Sequence, residues 1–224
     1  MTATGIEVGP NPLKMSGKAC VHDMVRRVLR PGMTAIDVGA AEGTVCETMR
    51  ACVGPTGSVL AIEPRPTDIP DVQRIYGAVG KTTGMQSLYL PAQDVPDLPL
   101  TLASFFPGNV PGGAARFVSV PTHRLDDLVS YADLVKVDVQ GAELDVLDGA
   151  PRLLQACPAW ILEIWPHGLR SAKRSLADVF AVLEGAGLTP QDSDGAPVPR
   201  EWAAAWLFQM RTQGDCVNWL CTRV

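Results

Sequence analysis

The feature that most constrains this chain is a glycine-bearing turn between a buried strand and a helix. Thr34–Val38 is an apolar run of strand length, and the turn that follows it carries Gly39 and Gly43. A helical pattern then continues to about Cys52. Glycine lets the backbone turn tightly and approach a ligand that a Cβ atom would block. Because ligands of open α/β sheets bind at the carboxyl ends of the strands, this turn predicts a cofactor site in an α/β fold.

Acidic residues around the turn decide which cofactor is favoured. Glu63 ends the next strand, 20 residues after Gly43, where a carboxylate can accept hydrogen bonds from two ribose hydroxyls. A dinucleotide fingerprint needs a glycine where Ala41 stands, and Glu42 puts a negative charge where a pyrophosphate would bind. An acidic turn, with Asp37 just before it, tolerates the cationic sulfonium and amino group of S-adenosylmethionine. We therefore predict S-adenosylmethionine as the cofactor. The alternatives are NAD in an oxidoreductase and a plain α/β turn without a ligand.

Short β-rich runs alternate with helical patterns along the chain, which is typical of a largely parallel sheet covered by helices. The strands predicted after the first are Ser58–Ile62, Gln73–Tyr76 with Ala78–Val79, Met85–Leu90, Arg116–Val120, Leu134–Asp138 and Trp160–Trp165. The last two apolar runs, Ala203–Met210 and Cys216–Thr222, are joined by Thr212–Asp215 and predict a hairpin. We expect a single domain over 1–224, an α/β Rossmann-like fold with a mostly parallel sheet and a C-terminal antiparallel hairpin. A hairpin at a sheet edge can pair with a second copy, so a homodimer is a candidate assembly.

Two segments lie outside this alternation. Residues 1–31 predict an N-terminal helical segment, because its apolar residues share one helical face: Val21, Met24, Val25, Val28 and Leu29. Residues 91–113 hold five prolines and three glycines and have no clear period. Loops of that length in compact domains are usually functional or disordered, and we predict a substrate loop there.

Charge and composition exclude several classes of partner. The chain has 19 Lys and Arg against 24 Asp and Glu, a formal charge of -5, and no basic run. Nucleic acids and anionic membranes are bound through clustered Lys and Arg, so we expect neither as a partner. No stretch approaches the roughly 18–20 apolar residues that a membrane helix needs. The six cysteines are scattered, as in reduced cytosolic proteins. We expect a cytoplasmic protein that acts on a small molecule.

Several short motifs, in a fixed order, carry a resemblance to a known family. They are Asp37–Gly43, Ile62–Pro64, Gly77–Gly80, His123–Leu128, Val135–Glu143, Leu147–Ala150 and Leu162–Pro166. This ordered set resembles the FkbM-type methyltransferases and covers well over half of the chain. The resemblance implies a class I methyltransferase fold and transfer of a methyl group from S-adenosylmethionine to a hydroxyl. The acceptors that it implies are sugars, polyketides and related secondary metabolites.

The resemblance also implies roles for individual residues. The turn from Gly39 would hold the methionine part of the donor, Glu63 would bind the ribose, and Ala78 would lie near the adenine. The full predicted donor set is Asp37, Gly39, Ala40, Glu42, Gly43, Glu63, Pro64, Ala78, Val79 and Asp138. The chain departs from the family at Ala41–Gly43, where Asn-x-Gly is usual, and at Gln140, where Glu is usual. The second departure removes an acid near the reaction centre, so a catalytically inactive nucleoside-binding module is a further alternative.

The candidate catalytic residues lie at the ends of two further strands. Asp138 is expected to face the cleft and contact the transferring methyl or the acceptor; the alternative is an acid that stabilises a helix N-terminus. Lys136, on the same strand face, needs an acidic partner when it is buried, and Asp138 or Glu143 could supply it. Glu163 ends the next strand and is a candidate to orient the acceptor or to bind a divalent metal together with Asp138. His167 follows that strand and is a candidate base.

Overall fold

The strands form two sheets in the computed structural model, which describes residues 18–91, 103–110, 116–201 and 215–223. The strands within these ranges are β1 (Thr34–Val38), β2 (Ser58–Glu63), β3 (Gln73–Tyr76), β4 (Ala78–Val79), β5 (Gly84–Leu90), β6 (Arg116–His123), β7 (Leu134–Val137), β8 (Ala159–Ile164), β9 (Leu188–Gln191) and β10 (Val217–Arg223). The helices are α1 (Lys18–Val28), α2 (Thr44–Val53), α3 (Leu125–Leu128), α4 (Glu143–Asp148), α5 (Pro151–Ala156), α6 (Pro166–Ser171) and α7 (Leu176–Gly185). No helix in this described part of the chain is long and apolar enough to span a bilayer.

The main sheet has seven strands in the order β3-β2-β1-β7-β8-β10-β9. Strands β3, β2, β1, β7 and β8 pair in parallel, and β10 runs antiparallel to both β8 and β9. The chain leaves β1 for β2 on one side and later adds β7 on the other side. Ligands of open α/β sheets bind where the strand order reverses in this way, at the carboxyl edge. The predicted Rossmann-like architecture, mostly parallel with a C-terminal antiparallel hairpin, is confirmed.

Each face of the main sheet has its own core, because successive side chains of a strand point to opposite faces. Ile161 of β8 packs on one face with Met24 of α1 and Met49 of α2. Trp160 of β8 and Trp219 of β10 pack on the other face, beneath α4, α5 and α7. Burying side chains of this size stabilises the fold by roughly 1.5–3 kcal/mol each. Burial on both faces explains the nearly continuous apolar runs of the central strands.

The outer pairing of the C-terminal hairpin differs from the sequence prediction. The last strand is β10, close to the predicted Cys216–Thr222 run, but the strand that pairs with its outer side is β9. We expected Ala203–Met210 in that role; residues 203–210 and 212–214 lie outside the described residues. The alternation of apolar and polar residues identifies a strand but not the strand that it pairs with. The position of β10 in the main sheet is set by its packing against β8.

A second sheet of order β4-β6-β5 stands beside the main one. It contains the strand predicted at Met85–Leu90, and the strand predicted at Arg116–Val120 extends to His123. The short helix α3 follows β6 directly and ends at Leu128. Of the predicted substrate loop, residues 103–110 are described: Ser104 forms a β-bridge with Tyr89 of β5, and a short 3-10 helix follows. The other residues from 92 to 113 lie outside the described ranges.

Candidate active site

A cavity of about 470 Å³ opens at the carboxyl edge of the main sheet, where the strand order reverses between β1 and β7. This size is ordinary for a small-molecule site. The predicted residues that line it are Gly39, Ala40, Glu42, Glu63, Pro64, Ala78, Val79, Lys136, Asp138 and Glu163. Asp37, Gly43 and His167 do not line it. The fold therefore brings most of the predicted donor residues into one cavity with three of the four catalytic candidates.

The two glycines of the turn are required by neighbouring protein atoms. Gly39 has a φ of 80°, and a Cβ there would lie 1.9 Å from the carbonyl oxygen of Asp138. Gly43 has a φ of 84° at the start of α2, and a Cβ there would lie 2.7 Å from the Ile69 side chain. The close approach of β1 and β7 thus explains Gly39 directly. Room for a ligand, which the sequence predicts as the reason for Gly39, stays a prediction.

Glu63 is held by protein donors on both carboxylate oxygens. Its Oε2 accepts a hydrogen bond from the backbone nitrogen of Ala41 at 2.9 Å. Its Oε1 accepts from Nε and the backbone nitrogen of Arg65, at 2.8 and 3.1 Å. A carboxylate oxygen accepts about two hydrogen bonds, so Oε2 retains a lone pair for a ligand hydroxyl. Arg65 also lines the cavity and lies 3.6 Å from Glu42.

Lys136 is a buried cation between two carboxylates. Its Nζ lies 2.9 Å from Asp37 Oδ1 and 3.6 Å from Asp138 Oδ2, and it donates to the Gly39 carbonyl at 3.2 Å. Burial alone would lower the pKa of Lys136, but the charges of Asp37 and Asp138 raise that pKa above its ordinary value. Lys136 therefore stays protonated. It ties the end of β7 to the turn and orients Asp138, while Asp37 supports this arrangement from beneath the cavity.

The strand registers set four residues in a row across the carboxyl edge. The β1–β7 and β7–β8 registers make Gly39, Asp138 and Glu163 neighbours at the ends of their strands. On the far side, Glu163 pairs directly with Asn218 of β10. Neighbouring strands lie about 4.8 Å apart, and paired residues point to the same face. The row of Gly39, Asp138, Glu163 and Asn218 therefore crosses the cavity from the turn to β10.

Glu163 has the environment of a proton acceptor. Burial raises its pKa well above the ordinary value, and the charges of Asp138 and Glu143 raise it further. The Cys216 thiol hydrogen-bonds to its carboxylate, and Nε2 of Gln140 lies 3.4 Å from its Oε2. A carboxylate with a raised pKa holds a proton more readily near neutral pH than an ordinary glutamate does. Its position in the row and its raised pKa make Glu163 a candidate for the general base.

The remaining lining of the cavity is largely apolar. It includes Val21 of α1, Leu88 of β5, Ala103 and Phe105. The last two belong to the segment predicted as a substrate loop. A polar row faced by apolar side chains suits a molecule that has both a hydroxylated part and an apolar part.

His167 lies away from the row. Its ring packs on Trp165 with centroids 5.4 Å apart, and its Nε2 lies 3.2 Å from the carbonyl oxygen of Gly108. The contact with Gly108 braces the described loop against α6. Because α6 begins at Pro166, the chain turns away from the cavity one residue before His167.

A divalent metal does not fit Asp138 and Glu163 as they are arranged. The side-chain nitrogen of Gln140 lies between them, 2.9 Å from Asp138 Oδ1 and 3.4 Å from Glu163 Oε2. An amide NH₂ group donates hydrogen bonds and offers no lone pair to a cation. Within the described ranges, no group of three or more His, Cys, Asp or Glu side chains could hold a metal ion. We therefore assign no catalytic step to a metal.

The cavity residues that the sequence prediction misses include Arg65, Cys216 and Asn218. Arg65 stands two residues after Glu63, and this proximity is the only sequence signal for it. Asn218 is a polar residue between the apolar Val217 and Trp219, which predicts the less buried face of a strand. No sequence pattern reveals that β10 lies beside β8, and this insertion brings Cys216 and Asn218 to the cavity.

Comparison with known proteins gives one family match over most of the chain. The family described as Methyltransferase FkbM domain matches residues 37–187. This range contains every residue of the row except Asn218.

Relatives and solved structures match at lower identity or over shorter segments. The chain is 38% identical over 63 residues to ribosomal RNA large subunit methyltransferase E of Alkalilimnicola ehrlichii, covering 28% of this chain and 30% of the relative. It is 44% identical over 52 residues to the protein of the same name from Azoarcus sp., covering 23% and 25%. It spans less than a third of the length of these relatives. A TehB-like SAM-dependent methyltransferase from Corynebacterium glutamicum shares 12% identity, with 92% of this chain and 88% of that chain covered and a TM-score of 0.47.

Proposed function

Because this chain belongs to the FkbM methyltransferase family, we propose that it transfers a methyl group to a hydroxyl oxygen of a small molecule. The methyl donor that we propose is S-adenosylmethionine, and the acceptor atom and the acceptor class are the finer parts of the proposal. The observation that carries the proposal is the row at the carboxyl edge. Glu163 is a carboxylate with a raised pKa. In the row, only Asp138 stands between Glu163 and Gly39 of the turn.

For the donor, we propose that the turn from Gly39 to Gly43 holds the methionine part and that Glu63 binds the ribose. Ala78 and Val79, both buried at the cavity, suit the adenine ring. The lone pair left on Glu63 Oε2 fits a ribose hydroxyl. The negative charges of Glu42 and Asp138 favour the cationic sulfonium over a neutral or anionic ligand.

In the proposed chemistry, the chain aligns the acceptor and removes its proton. When bound, S-adenosylmethionine supplies a methyl group on a cationic sulfur, which the acceptor oxygen displaces to give a methyl ether and S-adenosylhomocysteine. The Glu163 carboxylate takes the hydroxyl proton as the oxygen–carbon bond forms. Asp138, oriented by Lys136, faces the transferring methyl. Alignment within about 3–3.5 Å supplies much of the rate enhancement in reactions of this kind.

We propose that the acceptor is neutral and carries a second polar group. Asp138 and Glu163 would repel a carboxylate or phosphate at the reacting end. The Asn218 carboxamide lines the cavity and makes no side-chain hydrogen bond to any residue in the described ranges. A carboxamide both donates and accepts, as a second hydroxyl requires. Sugars and hydroxylated polyketides meet these conditions, and Leu88 and Phe105 suit their apolar parts.

An RNA hydroxyl is the second candidate acceptor, because two relatives are named as ribosomal RNA methyltransferases. Binding RNA requires cationic side chains along the phosphate backbone. The formal charge of -5 and the carboxylates of the row oppose such binding. We therefore favour the small molecule.

The donor assignment is tested by calorimetric titration with S-adenosylmethionine and S-adenosylhomocysteine, with NAD as the control. We expect micromolar binding of the two adenosyl ligands and none of NAD. Binding of NAD, or of no ligand, would overturn the donor site and the catalytic roles built on it.

The acceptor is tested with S-adenosylmethionine that carries tritium in the transferred methyl group. Three acceptor pools are supplied separately: neutral glycosides and hydroxylated polyketides, their carboxylated counterparts, and ribosomal RNA. We expect label in the neutral pool alone, as an ether stable to mild base. Label in RNA alone would replace the small-molecule proposal, and label in the carboxylated pool would contradict the charge argument.

We propose a cytoplasmic location and, at most, a weak dimer. The free thiols among the described residues, Cys46, Cys52, Cys157, Cys216 and Cys221, suit a reducing compartment. The edge strand β9 is four residues long and contains Pro190, which opposes pairing with a second copy. Fractionation of the source cells tests the location, and light scattering at two protein concentrations tests the assembly.

A further inference from the structure

The turn after β7 has a backbone that its sequence alone does not favour. Gln140 has a φ of 56° and Gly141 a φ of 102°. A left-handed backbone is unfavourable for a residue with a Cβ and persists only where the surroundings enforce it. A Cβ at position 141 would lie 2.4 Å from Asn109 Nδ2, so the described loop packs directly on this turn.

The loop holds the turn through the backbone carbonyl of Gln140. That oxygen accepts hydrogen bonds from Ser104 Oγ at 2.7 Å and from Asn109 Nδ2 at 3.0 Å. Ser104 and Asn109 are 1% and 5% exposed, which is unusual for polar side chains on a loop. The Asn109 amide also donates to Ser104 Oγ at 3.3 Å, so the two donors form one buried unit.

The side chain of the same residue reaches the acids of the row. Gln140 Nε2 donates to Asp138 Oδ1 at 2.9 Å and lies 3.4 Å from Glu163 Oε2. One amide group with two protons thus bridges two carboxylates that would otherwise repel each other. The residue whose carbonyl the loop holds is therefore the residue whose side chain contacts both acids.

We propose that Gln140 is a positioning residue through which the loop at 103–110 sets the orientation of Asp138 and Glu163. Ser104 and Asn109 lock the Gln140 backbone, and the Gln140 amide then holds the two carboxylates facing the donor turn. The loop contributes to the acid pair without touching it. This inference rests on the proposed function for the role of the pair, but the link itself is a property of the protein without ligands.

The link is tested by NMR of the Gln140 side-chain NH₂ group, assigned as the signal lost in Gln140→Leu or Gln140→Glu. In the native protein we expect two well-separated proton shifts and slow exchange with water, because both protons face carboxylates. Ser104→Ala, which alters neither carboxylate nor Gln140, should move these shifts towards those of a free glutamine and speed the exchange. Asn109→Ala should act in the same direction.

Matched variants separate the link from a general loss of structure. Ser104→Thr keeps the hydroxyl and should restore the native signal. Ser171→Ala removes a hydroxyl that also donates to a backbone carbonyl, that of His167 at 3.2 Å, and lies beside Gly108 of the same loop. It should leave the Gln140 signal unchanged. An unchanged signal in both Ser104→Ala and Asn109→Ala would overturn the inference.

A second measurement follows the effect to the donor. The dissociation constant of S-adenosylhomocysteine divided by that of S-adenosylmethionine reports how strongly the carboxylates of Asp138 and Glu163 attract the sulfonium charge. We expect Ser104→Ala and Gln140→Leu to lower this ratio by about fivefold, the worth of one ordinary hydrogen bond. A purely structural defect would weaken both ligands equally and leave the ratio constant, which would contradict the link. Failure of the native protein to bind either ligand would instead overturn the donor site.

Discussion

The two sides of the cavity are assembled in different ways. The proposed donor side, made of the Gly39–Gly43 turn, Glu63 and Ala78–Val79, comes from one stretch of fewer than 50 residues. The proposed acceptor side, made of Asp138, Glu163, Asn218 and the loop at 103–110, comes from four separate segments. The donor side is fixed mainly by the backbone, whereas the acceptor side depends on side chains that meet through the sheet order. Local sequence motifs therefore predict the donor side, but they miss much of the acceptor side.

The largest effect is expected on the donor side, from Gly39→Ala. The new Cβ would meet the Asp138 carbonyl at 1.9 Å, so β1 and β7 would have to separate. We expect no measurable donor binding and a loss of about 3–5 kcal/mol in unfolding free energy. Gly187→Ala is the matched control, with a φ of 67° and no atom nearer than 3.5 Å to the new Cβ. It should cost only about 1 kcal/mol and leave donor binding intact. Equal effects of the two variants would show that packing between β1 and β7 is not what requires Gly39.

On the acceptor side, Glu163→Gln should lower kcat by about 10²–10⁴-fold, the usual worth of a general base. Donor affinity should change little. The base must be deprotonated, and the pKa of Glu163 is raised. The activity of the native protein should therefore rise with pH, with a midpoint well above the pKa of an ordinary glutamate. This rising limb of the pH profile should vanish in the variant. Glu184→Gln, on the exposed side of α7, should keep both kcat and the limb. A native pH profile without the limb would exclude Glu163 as the base.

Glu63→Ala should separate the two sides. Loss of the ribose hydrogen bonds is expected to weaken donor binding by about 1.5–3 kcal/mol, or roughly 10–150-fold. The KM for the acceptor at saturating donor should stay within experimental error. Calorimetry and steady-state kinetics measure the two quantities. Unchanged donor affinity would mean that Glu63 only stabilises the turn, through its hydrogen bonds with Ala41 and Arg65, and does not bind the donor.

The smallest effect is expected from Asn218→Leu. Loss of one neutral hydrogen bond should raise the acceptor KM by about fivefold and leave donor affinity unchanged. Thr222→Val, further along β10, is the control and should change neither. If Asn218→Leu altered the donor dissociation constant instead, Asn218 would belong to the donor side.

The sequence predicts the local parts of the site well. The strand, the turn and the helix from Thr34 to Cys52 follow from periodicity and glycine placement, because each depends on near neighbours in the chain. Of the two acidic partners predicted for Lys136, the structure pairs it with Asp138 and adds Asp37. Glu143 instead accepts hydrogen bonds from the backbone nitrogens of Val139 and Gly141. His167 follows the right strand, but α6 begins at Pro166 and carries the ring to Trp165 and Gly108.

The sequence by itself determined the fold class, the family and the glycine turn after β1, because these depend on short-range patterns and on motifs in a fixed order. Only the tertiary structure decided that β10 lies between β8 and β9 and sets Asn218 opposite Glu163. It also decided that Ser104 and Asn109 dock on Gln140. Contacts between residues far apart in the chain are chosen by the packing of whole elements, and no local pattern records that choice.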